Sequence, residues 1–560
     1  MDARHMYEAW LAHMELEENE KAELKALTED EIIENFGREL EFGTGGLRGV
    51  LGLGNNRMNV YTIRKATQGL ANHLNESNEP KSVAIAFDSR INSDLFAKEA
   101  ACVLAANEIQ VWIYPRLEPT PALSWAVRER CCGAGICITA SHNPAKYNGY
   151  KVYGSDGCQI TLEAAEQVTK HMACIDIIHG IQRMEFSQGM EAGLIRYMPE
   201  ETIEAYLSSV ENLQILKNEK SFLPLKVVYT PLNGAGLECV EKILKAIHIS
   251  DVVVVPEQRE PDGRFSTCPY PNPEIREAMQ KGLELCEQEA PDLLLATDPD
   301  CDRCGIAVPT ETGYSLMTGN EVGILLLDYI CKARIQTGVM PPAPIAITTI
   351  VSSQMATPVA KKYGVDLRRT LTGFKFIGEQ IGLLEKAGEE ERFIFGFEES
   401  YGYLSGTHVR DKDAVNAAML ICEMARYYKA QGKSLMDAME DLYKEHGIYQ
   451  TALYTAAYEG LEGMEKMAAV MKALRENPPK QMAEWEILAC IDYLNTSLTG
   501  LPSSDVLEFH LAGESMLIVR PSGTEPQIKA YLSTKGNVSL VADQKMQALL
   551  KAVSDFFTFI

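Results

Sequence analysis

Four short polar runs break the apolar pattern of this chain, and their residue types are those of phosphoryl chemistry. The first is Thr139-Ala140-Ser141-His142-Asn143-Pro144, which leaves the strand-like stretch Gly135-Ile136-Cys137-Ile138 and is followed by Lys146, Asn148, Gly149 and Lys151. A hydroxyl on a loop leaving a buried strand, with cations close by, is a setting for a phosphorylated serine, because ligands of α/β proteins bind beyond the carboxyl ends of strands. Ser, Asn and Pro are also ordinary turn formers, so a plain turn is the competing reading of this run taken alone. His142 beside Ser141 invites a hydrolytic dyad, but neighbours in an extended segment point apart, so no such dyad is expected.

The second run, Asp298-Pro299-Asp300-Cys301-Asp302-Arg303, follows the apolar Leu293-Leu294-Leu295. Three alternate carboxylates can converge on a hard divalent cation such as Mg²⁺, which takes oxygen ligands and keeps positions open for phosphate. An EF-hand is excluded, because Arg303 stands where that loop requires glycine and Pro309 where it requires glutamate. A solvated acidic turn and an aspartyl-nucleophile phosphatase are the alternatives, though the latter has no use for a third Asp with an adjoining Arg. The third run, Arg520-Pro521-Ser522-Gly523-Thr524-Glu525-Pro526, has the make-up of an anion cradle: a glycine for close backbone approach, two hydroxyl donors and a bidentate guanidinium. A hairpin turn is its bland counterpart. Gly43-Thr44-Gly45-Gly46-Leu47-Arg48-Gly49 is similar in kind and weaker. The fourth run, Gly396-Phe397-Glu398-Glu399-Ser400-Tyr401-Gly402, offers a carboxylate and a hydroxyl suited to sugar hydroxyls, and Thr372-Gly373-Phe374-Lys375 adds a cation on a loop.

The composition suits an anionic small substrate gathered by local cations. The 53 Lys and Arg against 78 Asp and Glu give a formal charge of −25, which disfavours nucleic acid and anionic membrane as partners. Arg48, Lys151, Arg303, Lys375, Arg410, Lys412, Arg520 and Lys529 nevertheless all fall in loop-like segments between apolar runs. The start lacks an apolar leader and no run approaches the length of a membrane span, so a cytoplasmic protein is expected. Fourteen cysteines then read as reduced, mostly buried thiols. Cys301 and Cys304 form a single C-x-x-C with no second pair, and zinc is not expected.

These loops need strands to carry them. Val83 to Phe87, Val227 to Tyr229, Leu293 to Leu295 and Ile345 to Ile347 are short β-rich runs, each ending in a polar loop and followed by a helix-like stretch. That alternation predicts α/β domains with largely parallel sheets. The first forty residues read as helical, with Thr28-Glu29-Asp30-Glu31 as a capping box. A helical stretch is expected over Glu201 to Leu216 and a long one over Ala414 to His446. The 560 residues divide, on shifts in pattern, into 1–200, 201–315, 316–447 and a smaller α+β segment at 448–560.

Together the four runs resemble, in kind and order, the loops of the α-D-phosphohexomutase superfamily: TASHNP the phosphoserine loop, DPDCDR the magnesium loop, GFEESYG the sugar loop and RPSGTEP the phosphate-binding loop. The TGFKF run, the N-terminal helical segment and Glu459 to Met464 are similar to its phosphoglucomutase branch, which also includes phosphopentomutases. The resemblance implies three similar α/β domains and a smaller fourth around a central cleft. It implies interconversion of α-D-glucose 1-phosphate and glucose 6-phosphate through a phosphoserine and glucose 1,6-bisphosphate. Mannose or pentose phosphates, or a bisphosphate synthase or phosphatase, are the alternatives, with a non-catalytic sugar-phosphate-binding protein behind them. By the same resemblance Ser141, Asp298, Asp300 and Asp302 hold Mg²⁺, and Lys151, Arg48 and His142 serve catalysis. Arg303, Lys375, Glu398 and Ser400 meet the sugar, while Arg520, Ser522, Gly523 and Thr524 meet its nonreacting phosphate. A monomer or weak homodimer is expected. Two residues depart from the branch's pattern: Asn233 where His is expected, and Cys304 in place of an aliphatic residue.

Overall fold

The computed structural model describes residues 2–43, 45–217, 223–458, 463–522 and 527–559. The chain forms two compact units, one of Met1–Met317, Gly378–Phe393 and Tyr401–Tyr427, the other of Thr318–Ile377, Ile394–Ser400 and Tyr428–Ile560. Among the described residues no helix is long and apolar enough to cross a membrane.

The first unit opens with the helices Ala3–His13, Glu18–Lys25 and Glu29–Phe36. The expected capping box forms: Thr28 Oγ1 accepts from the Glu31 amide, and the Glu31 carboxylate accepts from the Thr28 amide. Trp10 pins these helices down, being fully buried with its Nε1 donating to Asn55 Oδ1 at 2.8 Å and its ring edge-on to Phe36 and Tyr61.

The first sheet carries, in spatial order, Gly46–Val50, Tyr147–Gly154, Ala134–Ile138, Ser82–Phe87, Gln110–Ile113 and Ile195–Tyr197. Ser82–Phe87 pairs in parallel with Ala134–Ile138 and Gln110–Ile113, as strand-helix alternation dictates. Tyr147–Gly154 runs antiparallel on both its sides, so the sheet is mixed where a largely parallel one was expected. The reason lies in chain length: residues 139–146 are too few for the crossover that parallel strands require, and only a hairpin-like return fits. The second sheet repeats the plan. Asp251–Val254 and Leu293–Thr297 flank Lys226–Thr230 in parallel, and the short segment 298–303 returns the chain antiparallel as Cys304–Thr310.

In the second unit, Ile345–Thr349 lies between Asp366–Thr370 and Phe393–Glu398. A separate six-stranded sheet follows in the order Ile448–Ala457, Gln527–Gly536, Ser515–Pro521, Leu507–Leu511, Trp485–Asp492 and Gln481–Met482, antiparallel throughout. Its apolar face packs with the helices Gly463–Glu476 and Ser539–Phe559. The architecture is three α/β domains plus a C-terminal α+β domain. The helix expected over Ala414 to His446 is two, Ala414–Lys429 and Leu435–His446, because Gly432 turns left-handed at φ 70° and Ser434 caps a new helix against Asp437. The stretch expected over Glu201 to Leu216 is a helix only across Glu200–Glu211.

One buried acid makes the first unit sensitive to pH. Glu118 is 4% exposed, with Arg116 Nε 3.1 Å from its Oε1 and the Cys239 thiol donating to Oε2 at 3.7 Å. Burial pushes its carboxyl up to about 7, against the opposing pull of Arg116 and with reinforcement from Glu238 and Glu200. An unfolded Glu loses its proton near about pH 4.3, so between that value and neutrality the folded chain binds a proton the unfolded chain lacks, and stability falls as pH rises through the window. Thermal melts should therefore show Glu118→Gln narrowing the gap between melting temperatures at about pH 5 and about pH 8. Parallel pH profiles for the two proteins would refute the assignment.

Candidate active site

The two hairpin returns of the first unit bring their loops into contact. Ser141 Oγ donates to Asp298 Oδ2 at 2.9 Å, although the two residues are 157 positions apart. Ser141 sits at φ 53°, in the left-handed region that L-residues rarely adopt, and its amide donates to Thr139 Oγ1 at 2.7 Å. This backbone turn corrects the expectation that Ser141 and His142 point apart. The segment is not extended there, and His142 Nδ1 lies 3.1 Å from Ser141 Oγ. Burial first, then the charges of Arg303, Arg48 and Lys151, hold the imidazole well below its ordinary pKa, so it is neutral.

Asp298, Asp300 and Asp302 each offer a carboxylate oxygen within 4.8 Å of the others, and all three are buried. Oδ1 of Asp300 and Oδ1 of Asp302 are buried without a hydrogen-bond partner. Orphaned carboxylate oxygens converging in this way fit a hard divalent cation, which supplies the coordination they lack. Cations already surround the trio: Lys151 Nζ is 2.7 Å from Asp300 and 3.3 Å from Asp302, Lys412 Nζ is 3.2 Å from Asp302, and Arg303 Nε is 3.8 Å from Asp302. Burial and the neighbouring charges of Asp300 and Asp302 drive the Asp298 pKa well up. Burial acts on Asp300 in the same sense and is the strongest single influence, but Lys151, the hydrogen bond with Asp298 and the charge of Lys412 together hold that carboxyl below the usual range. Burial likewise opposes the charge on Lys151, yet Asp300, Asp302 and Asp411 together keep its ammonium favoured.

The 298–303 loop is fastened by its main chain. The amide of Thr120 donates to Asp300 O at 2.9 Å, that of Ala235 to Pro299 O at 2.8 Å and that of Ala414 to Cys301 O at 3.3 Å. Gly234 is required by this contact, since a Cβ there would lie 2.4 Å from Pro299 Cα. Thr120 was not apparent from sequence. Besides its amide bond, its Oγ1 donates to Asp300 Oδ2 at 3.0 Å, which aims that carboxylate. The residue opens the helix Thr120–Glu129, and its separation of 180 positions from Asp300 leaves no local pattern to find it by.

Other sequence candidates fall as follows. Arg48 Nη1 donates to Asn143 Oδ1 at 3.1 Å, which places it on the serine loop, and Arg303 Nη1 pairs with Glu274 at 3.1 Å. Asn233, at φ 58°, donates to the carbonyls of Glu257 and Glu260 and accepts from Thr267, so it clips the segment after Asp251–Val254. Cys304 is fully buried and begins its strand. The second unit holds Lys375, Glu398, Ser400, Arg520 and Ser522. Glu398 is buried at the end of Phe393–Glu398. Arg520 packs over the half-buried Tyr531, and its Nη2 donates to the Tyr531 hydroxyl at 3.2 Å. The Ser522 amide donates to Gln527 O at 2.7 Å. Gly523 and Thr524, Thr44 of the glycine run and residues 459–462 lie outside the described residues.

With this geometry in hand, the chain was compared with known proteins. Residues 39–177, 204–313 and 318–446 match the alpha/beta/alpha domains I, II and III of phosphoglucomutase/phosphomannomutase. The chain belongs to the phosphoglucomutase/phosphomannomutase family. Phosphoglucomutases of Staphylococcus aureus strains bovine RF122 and USA300 are each 38% identical to it, covering 92% of this chain and 93% of theirs. A putative phosphomannomutase from Thermus thermophilus shares the fold at TM-score 0.69 and 21% identity, covering 93% of this chain and 99% of that one. The open form of pp63/parafusin, a phosphoglucomutase from Paramecium, does so at 0.68 and 20%, covering 93% and 95%. As a member of the phosphoglucomutase/phosphomannomutase family the chain is an isomerase that moves a phosphoryl group.

The role of Thr120 is open to a direct measurement. Thr120→Val keeps the amide bond and volume but removes the hydroxyl that orients Asp300, and outer-shell changes of this kind cost roughly 10- to 100-fold in metal affinity. Titration calorimetry with Mn²⁺ should show that loss. Unchanged affinity would mean that Thr120 does not hold the carboxylate.

Proposed function

We propose that this protein interconverts α-D-glucose 1-phosphate and glucose 6-phosphate, with Ser141 carrying the phosphoryl group and glucose 1,6-bisphosphate as intermediate. The observation that carries the reading is the 2.9 Å contact of Ser141 Oγ with one of three converging carboxylates. Asp298, Asp300 and Asp302 are the residues that would hold Mg²⁺, together with an oxygen on Ser141. Bound there, Mg²⁺ would supply neutralisation of phosphoryl charge. The carboxylates are already faced by Lys151, Lys412 and Arg303, so a divalent cation held there would be matched in charge by a dianionic phosphoryl group.

In the forward step a free hydroxyl of the sugar monophosphate attacks phosphorus, the P–Oγ bond breaks, and Ser141 is left as its hydroxyl. Lys151, entering as the free amine, takes the proton of the attacking hydroxyl while Oγ takes one up from solvent, and both transfers run backwards when the other phosphate returns to Ser141, as reversibility requires. Asp300 and Asp302 favour its ammonium, so the amine forms only when their charge is met. His142, neutral and directed at Oγ, holds that oxygen in line, and Arg48 steadies the loop through Asn143. Arg303 and Lys375 meet the substrate, Glu398 and Ser400 its hydroxyls, and Arg520, Ser522, Gly523 and Thr524 its second phosphate. The intermediate turns over between the two half-reactions, so these groups serve both ends of the sugar. Residues 1–200, 201–315, 316–447 and 448–560 are the corresponding domains of a cytoplasmic monomer or weak homodimer.

Ser141→Ala should lose nearly all turnover while keeping its fold, and intact mass spectrometry should find one phosphoryl group on the parent protein that is absent from the variant. A phosphate mapped to another residue would overturn the assignment. The glucose preference rests on Glu398 and on the phosphoglucomutase relatives. An unmatched hydroxyl in a desolvated site costs about 1–3 kcal/mol, so Glu398→Gln should lower kcat/KM for glucose 1-phosphate roughly 10- to 100-fold, and less for a pentose phosphate. Higher efficiency of the unaltered enzyme on ribose or deoxyribose 1-phosphate would make it a phosphopentomutase instead.

A further inference from the structure

Arg90 belongs to none of the four polar runs, yet both terminal nitrogens of its guanidinium are committed to the serine loop. Its side chain is completely buried. Nη1 donates to the carbonyls of Pro144 and Tyr147, both at 3.0 Å, and Nη2 donates to the carbonyls of Ser141 and Asn143. Four main-chain oxygens from residues 141 to 147 therefore end on one guanidinium. Asp88 faces it from the other side, with Oδ2 3.3 Å from Arg90 Nε. Oδ1 of Asp88 accepts from the Arg90 amide at 2.9 Å and from Ser93 Oγ at 2.8 Å, and the Asp88 amide donates to Ile138 O at 3.1 Å. The Phe265 ring closes the pocket, its centroid 5.0 Å from Arg90 Cζ. Both residues sit at the exit of Ser82–Phe87, the strand paired with the one that delivers Ser141.

The arrangement answers a need specific to this loop. Ser141 is in left-handed backbone that an L-residue adopts only when its surroundings impose it. On the mutase reading, a dianionic group leaves Oγ and returns to it in every cycle, so the force on the loop alternates. Carbonyl oxygens are negative ends of dipoles, and four of them drawn to Arg90 are four that do not face the phosphate. A planar trans peptide turns its N–H opposite to its C=O, so fixing the Ser141 carbonyl also fixes the direction of the His142 amide. Only a guanidinium presents enough donors in one plane to collect these oxygens, and a lysine ammonium does not.

We infer that Arg90, braced by Asp88, is a positioning residue that keeps the phosphoserine loop in one conformation through both half-reactions and thereby keeps the phosphoryl group from water. The inference rests on Ser141 being the phosphoryl carrier. It is tested on the full-length enzyme with Mg²⁺ and glucose 1,6-bisphosphate, using Arg90→Lys and Arg90→Ala. Each should lower kcat about 100-fold with KM for glucose 1-phosphate changed less than about threefold, because Arg90 touches no substrate. The isolated phosphoenzyme of each variant should lose phosphate faster than the parent: water attacks phosphorus, the P–Oγ bond breaks, Oγ takes the proton and inorganic phosphate departs. Guanidinium chloride at low millimolar concentration should restore part of the Arg90→Ala turnover where sodium chloride does not.

A kcat for Arg90→Lys near that of the parent, a phosphoenzyme lifetime equal to the parent's, or a loss confined to KM would overturn the inference. If Arg90→Ala does not fold, the lysine variant decides through its kcat and its phosphoenzyme lifetime. A parent enzyme without phosphate on Ser141 would defeat the mutase reading itself, whereas a phosphorylated parent with an indifferent Arg90→Lys defeats only the role of Arg90.

Discussion

Mutual repulsion of three buried carboxylates is the constraint around which the first unit is organised. Asp298, Asp300 and Asp302 have ligand oxygens within 4.8 Å of one another and almost no exposure to water that would screen them. Like charges so close in a low-dielectric setting cannot all ionise unless cations are brought to them. Lys151 arrives from a strand of the first sheet, Arg303 from the loop itself and Lys412 from the segment Tyr401–Tyr427. Each is pinned in turn: Lys151 by strand pairing opposite Gly46 and Cys137, Arg303 by Glu274 and a bridge to Gly402, and Lys412 by Asp411 at 3.1 Å. The site is therefore not a decoration on a finished fold, since the segments that close around it are the ones its charge demands.

Topology makes this economical. In each of the first two sheets a strand from the parallel core is followed by a short antiparallel return, and the loop that carries Ser141 or the three Asp residues is that return. A short loop between paired strands has few conformations to lose, so its side chains are placed at little entropic cost. A helical crossover at the same point would have carried the chain away from the strand ends where the two loops meet.

The same physics decides what could be read from the sequence. Polar runs that follow apolar strands stand out because nothing in packing calls for them, and Ser141, the three Asp residues, Lys151 and Arg303 were visible for that reason. The domain types were visible in the alternation of strands and helices. The mixed character of the sheets was not, because it depends on loop length rather than on the strands themselves. The geometry of His142 was misjudged because a left-handed residue at 141 is invisible to a rule about extended chains. Thr120 and Arg90 escaped because their partners are distant: Thr120 and Asp300 lie 180 positions apart, and Arg90 reaches across 51 positions to Ser141. Each contributes through main-chain oxygens or one carboxylate, and neither leaves a local spacing to recognise.

The fastening of the 298–303 loop through its carbonyls carries a consequence for how this segment tolerates change. Its anchors at Thr120, Ala235 and Ala414 grip atoms that every amino acid possesses. Side chains between the acidic positions are then released from any duty to bond, and need only fill the space left for them. Cys301, fully buried between Asp300 and Asp302, has a thiol that burial keeps protonated. What that position supplies to the loop is a volume rather than a chemistry.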